Sequence, residues 1–155
     1  MSEAIIYYSR TGKTRYVARQ IAKKVGADEF EINDLTIRSG LSAYISFAFD
    51  KIVQNRTKIE PESVDLTGYD KIYIGSPVWG ADIAPAIYEI IDNTDFKGKD
   101  VVVFTTFKKS GAERSLSILT NLIQLKGANV IKAFSISSED LDEFMENTKI
   151  AVSKL

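Results

Sequence analysis

The chain has no cysteine and no histidine among its 155 residues. The first absence removes disulfides, thiol nucleophiles and iron–sulfur ligation. The second removes the commonest metal ligand and the side chain that most often acts as a general base near neutral pH. Neither a metal site nor a catalytic side chain is expected, so any redox chemistry has to come from a bound organic cofactor. Excess charge is also lacking: 20 basic residues against 21 acidic ones leave a formal net charge of -1. Bulk charge therefore advertises neither nucleic acid nor an anionic membrane as a partner. No apolar run approaches a membrane-spanning length, and the first residues lack the basic flank and long apolar region of a signal peptide. The expectation is a soluble cytoplasmic protein, with residues 1–155 forming one domain.

Short segments rich in β-branched and aromatic residues occur at 4–8, 72–75, 101–105 and 130–136, with a weaker one at 29–32. Their apolar character is continuous rather than alternating, which suits strands of a parallel sheet covered on both faces. Between them lie stretches of helical period. Residues 14–24 align Val17, Ala18, Ile21 and Ala22 on one stripe; residues 85–91 do so with Ala86, Ile87, Ile90 and Ile91 behind a proline suited to a first turn. Residues 112–126 carry Leu116, Leu119, Leu122 and Ile123 and stop at Gly127. A last helix is expected from Ser138 as cap, with Leu141, Phe144, Met145, Thr148 and Val152 facing inward.

Strand alternating with helix throughout predicts an α/β fold of three layers, an open doubly wound five-stranded parallel sheet in the order 2-1-3-4-5. Residues 39–53 spread Tyr44, Phe47, Phe49 and several aliphatics over more than one helical face. They are expected to form the second crossover helix, buried between sheet and loops; a self-association surface is the alternative.

Three junctions carry the chemistry. The first reads Tyr8-Ser9-Arg10-Thr11-Gly12-Lys13-Thr14, between a strand and a helix. N–H groups at a helix start attract anions, Ser9, Thr11 and Thr14 offer hydroxyl protons, and Gly12 lets the backbone approach a ligand, so a phosphate fits there. A polar turn with a threonine cap is the plain alternative. A nucleotide P-loop is excluded by spacing, because its first glycine would fall on Tyr7. The second junction, Gly75-Ser76-Pro77-Val78-Trp79-Gly80-Ala81-Asp82, places the only tryptophan in a loop. At the end of a strand beside the switch point, an indole can lie against a flat conjugated ring. Alone, Trp79 would more readily be a core plug or a partner-binding aromatic. The third junction, Phe104-Thr105-Thr106-Phe107-Lys108-Lys109-Ser110-Gly111, ends the fourth strand at the same sheet edge. Phosphate loop, aromatic loop and polar loop thus converge on one crevice.

These residues resemble the flavodoxin family along the whole chain: Ser9-x-Thr11-Gly12-x-Thr14 resembles its phosphate loop, and residues 76–82 resemble its aromatic flavin-flanking loop. The uninterrupted last strand at 129–136 is similar to the short-chain branch. The resemblance implies a non-covalent FMN whose phosphate is held by Ser9, Arg10, Thr11, Gly12, Lys13 and Thr14. It implies isoalloxazine contacts from Pro77, Val78, Trp79 and Gly80, and a pyrimidine end facing Thr106, Phe107, Lys108, Ser110 and Gly111. It further implies that the Gly80-Ala81 peptide faces flavin N5 and that Asp82 accepts from N3–H.

The chain departs from the family pattern at Lys13, where asparagine is common, at Arg10, and at Lys108 and Lys109. Phe107 is the only aromatic in the third loop. A lysine about 6 Å from the reduced ring would favour its negative charge by roughly 2 to 3 kcal/mol before screening; the alternative is that both lysines point into solvent. The implied function is a carrier shuttling electrons between redox partner proteins, as a monomer or weak homodimer. A small FMN-dependent NAD(P)H or quinone reductase is the alternative, and a flavin-free interaction domain of the same topology is a third.

Overall fold

The computed structural model describes residues 2–36 and 57–155, and the expectations for residues 39–53 lie outside them. In chain order the elements are β1 (Ser2–Tyr7), α1 (Lys13–Val25), β2 (Asp28–Glu31), β3 (Asn33–Asp34), β4 (Ile59–Glu60), β5 (Tyr69–Trp79) and β6 (Asp82–Ile83). There follow α2 (Pro85–Asn93), β7 (Asp100–Phe107), α3 (Ala112–Leu125), β8 (Asn129–Ser137) and α4 (Leu141–Ser153). Five parallel strands run in the order β2-β1-β5-β7-β8, and β6 adds to β5 as an antiparallel hairpin partner. This is the expected 2-1-3-4-5 sheet, with the short β3–β4 pair as an unforeseen addition.

Strand alternation sorts the core into two layers. Ala4, Ile6 and Tyr8 join Ile72, Ile74 and Val103 beneath α2 and α3, which contribute Ile87, Ile90, Leu119 and Ile123. Ile5, Tyr7, Tyr73, Val102 and Phe104 point the other way, against Val17, Ala18 and Ile21 of α1 and Phe144 and Val152 of α4. Each fully buried aliphatic side chain stabilises the fold by about 1.5–3 kcal/mol.

Three expectations need correction. The strand predicted at 72–75 extends to Trp79, so the tryptophan ends a strand instead of sitting in a loop; hairpin pairing of Val78 with Ile83 and Trp79 with Asp82 prolongs the β conformation beyond the parallel ladder. The segment at 130–136 is not buried along its length, because β8 pairs only with β7 and forms an edge; a register shift leaves Ile131 bulged out and 46% exposed. Finally, α4 is capped by Asp140, whose Oδ1 accepts from the Glu143 N–H at 2.9 Å. Ser138 donates instead to the Phe107 carbonyl at 3.2 Å. Starting the helix at Leu141 turns Leu141 and Met145 outward, 56% and 46% exposed, while Phe144, Thr148 and Val152 face in. Among the described residues no helix is long and apolar enough to cross a membrane.

Candidate functional site

The crossover from β1 uses α1 on one face of the sheet, and that from β5 uses α2 on the other. Adjacent strands whose connections leave in opposite directions open a crevice at their carboxyl ends. The three junctions named above lie there.

At the first junction Gly12 adopts φ +97° as the residue before α1. That left-handed turn folds residues 9–12 back over the helix start. The Ser9 hydroxyl accepts from the N–H groups of Gly12 and Arg15, each at 3.1 Å, and so keeps its own proton to donate. The N–H groups of Thr11, Lys13 and Thr14 meet no acceptor among the described residues. Orphan donors at the positive end of a helix fit an anion such as phosphate. Arg15 is not spare charge, since its guanidinium pairs with Glu31 at 2.6 Å. Lys13 is drawn towards α4, with its ammonium 5.4 Å from the centre of the Phe144 ring.

The Thr14 side chain turns inward. Its Oγ1 lies 2.8 Å from Thr106 Oγ1, and both residues are buried. This bond joins the base of the first loop to the end of β7. The second junction is closed by Ser76, which donates to the Pro77 carbonyl at 2.9 Å and accepts from the Ala84 N–H at 3.0 Å. Between Trp79 and Asp82, Gly80 and Ala81 have φ +56° and +63°. Two positive φ values in a two-residue hairpin describe a type I′ turn. Ala81 is the only non-glycine with positive φ among the described residues, a conformation that costs an L-residue about 1–2 kcal/mol.

Trp79 is half-buried against the core, meets Tyr8 nearly edge-on with ring centres 5.8 Å apart, and carries the Arg10 guanidinium 5.6 Å from its ring centre. Asp82 is buried, and its Oδ1 accepts from the Ile83 N–H at 2.8 Å and the Tyr88 hydroxyl at 2.6 Å. Burial first, and the bond to Asp82 second, push the Tyr88 phenol well above its ordinary pKa. That carboxylate oxygen therefore braces α2 against the hairpin.

The third loop rests on the second. A Cβ placed on Gly111 would lie 2.8 Å from Ala81 Cα and 3.0 Å from Val78 Cγ1. Its other side is tied to the β8–α4 connection, where the Phe107 carbonyl accepts from the Ser138 N–H at 2.6 Å and the Lys108 carbonyl accepts from Ser137 at 3.3 Å. The side chains of Lys108, Lys109 and Ser110 are exposed on the rim, and Phe107 is half-buried.

The structure thus links Thr14 to Thr106, Arg10 to Trp79, and Val78 to Gly111, while Lys13 and Asp82 lean on neighbouring helices. Sequence reasoning missed Tyr8 and Tyr88. Period 2 from Ala4 and Ile6 points Tyr8 to the same face, but the bond from Tyr88 to Asp82 has no signature in the chain. A groove of about 570 Å³ between α1 and α4, lined by Tyr16, Gln20, Met145 and Lys149 among others, involves no residue of the three loops.

The sequence profile of the flavodoxin family matches residues 3–148. The chain belongs to the flavodoxin family. A flavodoxin from Nostoc sp. is 24% identical over an alignment of 147 positions that covers 90% of this chain and 73% of that protein. Among solved structures, a flavoprotein from Lactobacillus acidophilus in complex with FMN superposes with a TM-score of 0.69 at 23% identity, covering 93% of this chain and 98% of its own. A flavodoxin, WrbA-like protein from Agrobacterium tumefaciens gives 0.66 at 15% identity over 99% and 93% of the two chains. This flavodoxin-family chain therefore shares the fold of both.

Proposed function

We infer that this chain binds FMN non-covalently and serves as an electron carrier between redox partner proteins. The observation that carries the reading is the convergence of a phosphate-sized set of orphan N–H donors, an indole and a glycine-backed polar loop at one switch point of a flavodoxin-family sheet. Bound FMN supplies the redox chemistry at its isoalloxazine ring. The residues supply the rest. Thr11, Lys13 and Thr14 present N–H groups and Ser9 its hydroxyl to the phosphate, with the α1 dipole favouring the dianion. Trp79 offers an apolar face to the ring, and the Gly80-Ala81 turn presents peptide groups beside it. The Thr14–Thr106 bond and the Gly111 contact keep the three loops in register, so that binding does not have to order them.

Affinities for FMN and riboflavin test the site, because only FMN meets the phosphate loop. FMN should bind at least tenfold more tightly, and equal affinities would remove the loop from recognition. Stepwise reduction of the FMN complex, followed by spectra and potentiometry, tests the activity. Two resolved one-electron steps, with no oxidation of added NADH or NADPH, mark a carrier. Rapid nicotinamide or quinone turnover marks a reductase, the second reading, which the fold shared with the WrbA-like chain allows.

A further inference from the structure

Thr14 and Thr106 are buried together, 1% and 3% exposed, with their Oγ1 atoms 2.8 Å apart. That bond is the only one either hydroxyl makes among the described residues. Two hydroxyls carry two protons and the bridge between them uses one, so a buried donor is left over. A buried donor calls for an acceptor. Ser9 shows the same pattern nearby: its oxygen accepts from the N–H groups of Gly12 and Arg15, and its proton remains to donate. Thr106 can do for Thr14 what those two N–H groups do for Ser9. The orphan N–H groups of Thr11, Lys13 and Thr14 belong to the same turn as the Thr14 side chain. An anion held by them is a charged acceptor, and the stronger bond to it fixes the direction of the bridge.

We propose that Thr106 is a positioning residue for the phosphate: it donates to Thr14 Oγ1 and so turns the Thr14 proton to the anion at the start of α1. Hydrogen bonds in such a chain strengthen one another. Thr106 is a fixed anchor, because its strand pairs it with Pro77 of β5 on one side and Ile136 of β8 on the other. The inference rests on the FMN reading for the identity of the anion. It places Thr106 behind the phosphate, whereas the family resemblance implies a contact with the pyrimidine end of the ring.

Thr106→Val keeps the shape of the side chain without its hydroxyl, and Thr106→Ser keeps the hydroxyl. Thr106→Val should bind FMN about three- to tenfold more weakly than the parent and riboflavin equally well, and Thr106→Ser should restore most of the loss. In a Thr14→Val background Thr106→Val should weaken FMN no further, since the chain of bonds has already lost its middle member. FMN bound equally by the parent and Thr106→Val overturns the proposal, as do losses that add in the double variant. FMN and riboflavin weakened alike would return Thr106 to the ring, and failure of Thr106→Ser to restore binding would assign the loss to packing; either result overturns it too. Inorganic phosphate, titrated at constant ionic strength, separates the relay from the flavin: its protection of the parent against thermal unfolding should fall in Thr106→Val. If FMN does not bind the parent, the FMN reading fails and this titration alone decides the relay, which equal protection of both proteins, or protection of neither, overturns.

Discussion

Replacing Gly111 by alanine separates the two roles that a glycine can have in a loop. Gly111 has φ +89°, and a Cβ there would stand 2.8 Å from Ala81 Cα and 3.2 Å from Ala81 Cβ. Carbon atoms settle at about 3.5–4.0 Å, so the Gly80-Ala81 turn or the third loop has to retreat by roughly 1 Å. The backbone term alone is about 1–2 kcal/mol, offset in part by the lower entropy of the unfolded alanine chain. Crowding of a packed contact adds about 1–3 kcal/mol. Gly68 provides the control, because its φ of +86° is nearly the same and a Cβ there would meet nothing within 4 Å. Gly68→Ala should therefore cost about 1 kcal/mol and Gly111→Ala about 2–4 kcal/mol in urea unfolding, with unchanged m-values. Since the displaced turn adjoins Trp79, FMN affinity should fall about tenfold in Gly111→Ala and stay at the parent level in Gly68→Ala. Equal losses of stability in the two variants would show that the third loop does not rest on the turn.

Gly75→Ala should destabilise by about 3 kcal/mol, because its Cβ would fall 2.1–2.7 Å from three ring atoms of fully buried Phe104; Phe104→Leu in the same chain should recover part of that loss in a double-mutant cycle. Lys108→Gln with Lys109→Gln should lower the midpoint potential of bound flavin by on the order of tens of millivolts at low salt, less at high salt, since both lysines are exposed at the rim; a potential independent of both substitution and salt would place their ammonium groups away from the ring. Tyr7 is 1% exposed, and burial, with Glu31 and Glu29 nearby, holds its phenol at about 12 against an ordinary value of 10.0. A raised folded-state value adds stability that is full below about pH 10 and is lost between about pH 10 and 12, up to about 3 kcal/mol. Tyr7→Phe should accordingly flatten the alkaline decline of unfolding free energy, and an unaltered slope would assign that decline to other groups.

Much of the sheet was legible in the chain because a buried parallel strand writes itself as a short β-branched run and each covering helix as a stripe. Ile5 and Ile6, or Val102 and Val103, serve opposite faces of the sheet and so read as continuous. Edges were harder. β8 carries a similar apolar run but is exposed over much of its length, because no strand pairs with its outer side and nothing local encodes the end of a sheet. The start of α4 also escaped, since Ser138 and Asp140 are both sound caps and the carbonyl of Phe107, distant in sequence, claims Ser138.

At the site, residue order alone dictates which chemical groups reach the crevice: a strand end followed by hydroxyls, a glycine and a helix start, then an indole, then a polar loop. Those are local facts of composition and order. How the groups are shared among the loops follows from the packing of the strands instead. Thr14 spends its hydroxyl on Thr106, Asp82 turns one oxygen to Tyr88, and Arg10 lies across Trp79. Each of these pairings depends on which strand ends lie side by side and how far their loops reach. Such contacts form between residues up to 92 positions apart and leave no period or motif in the chain.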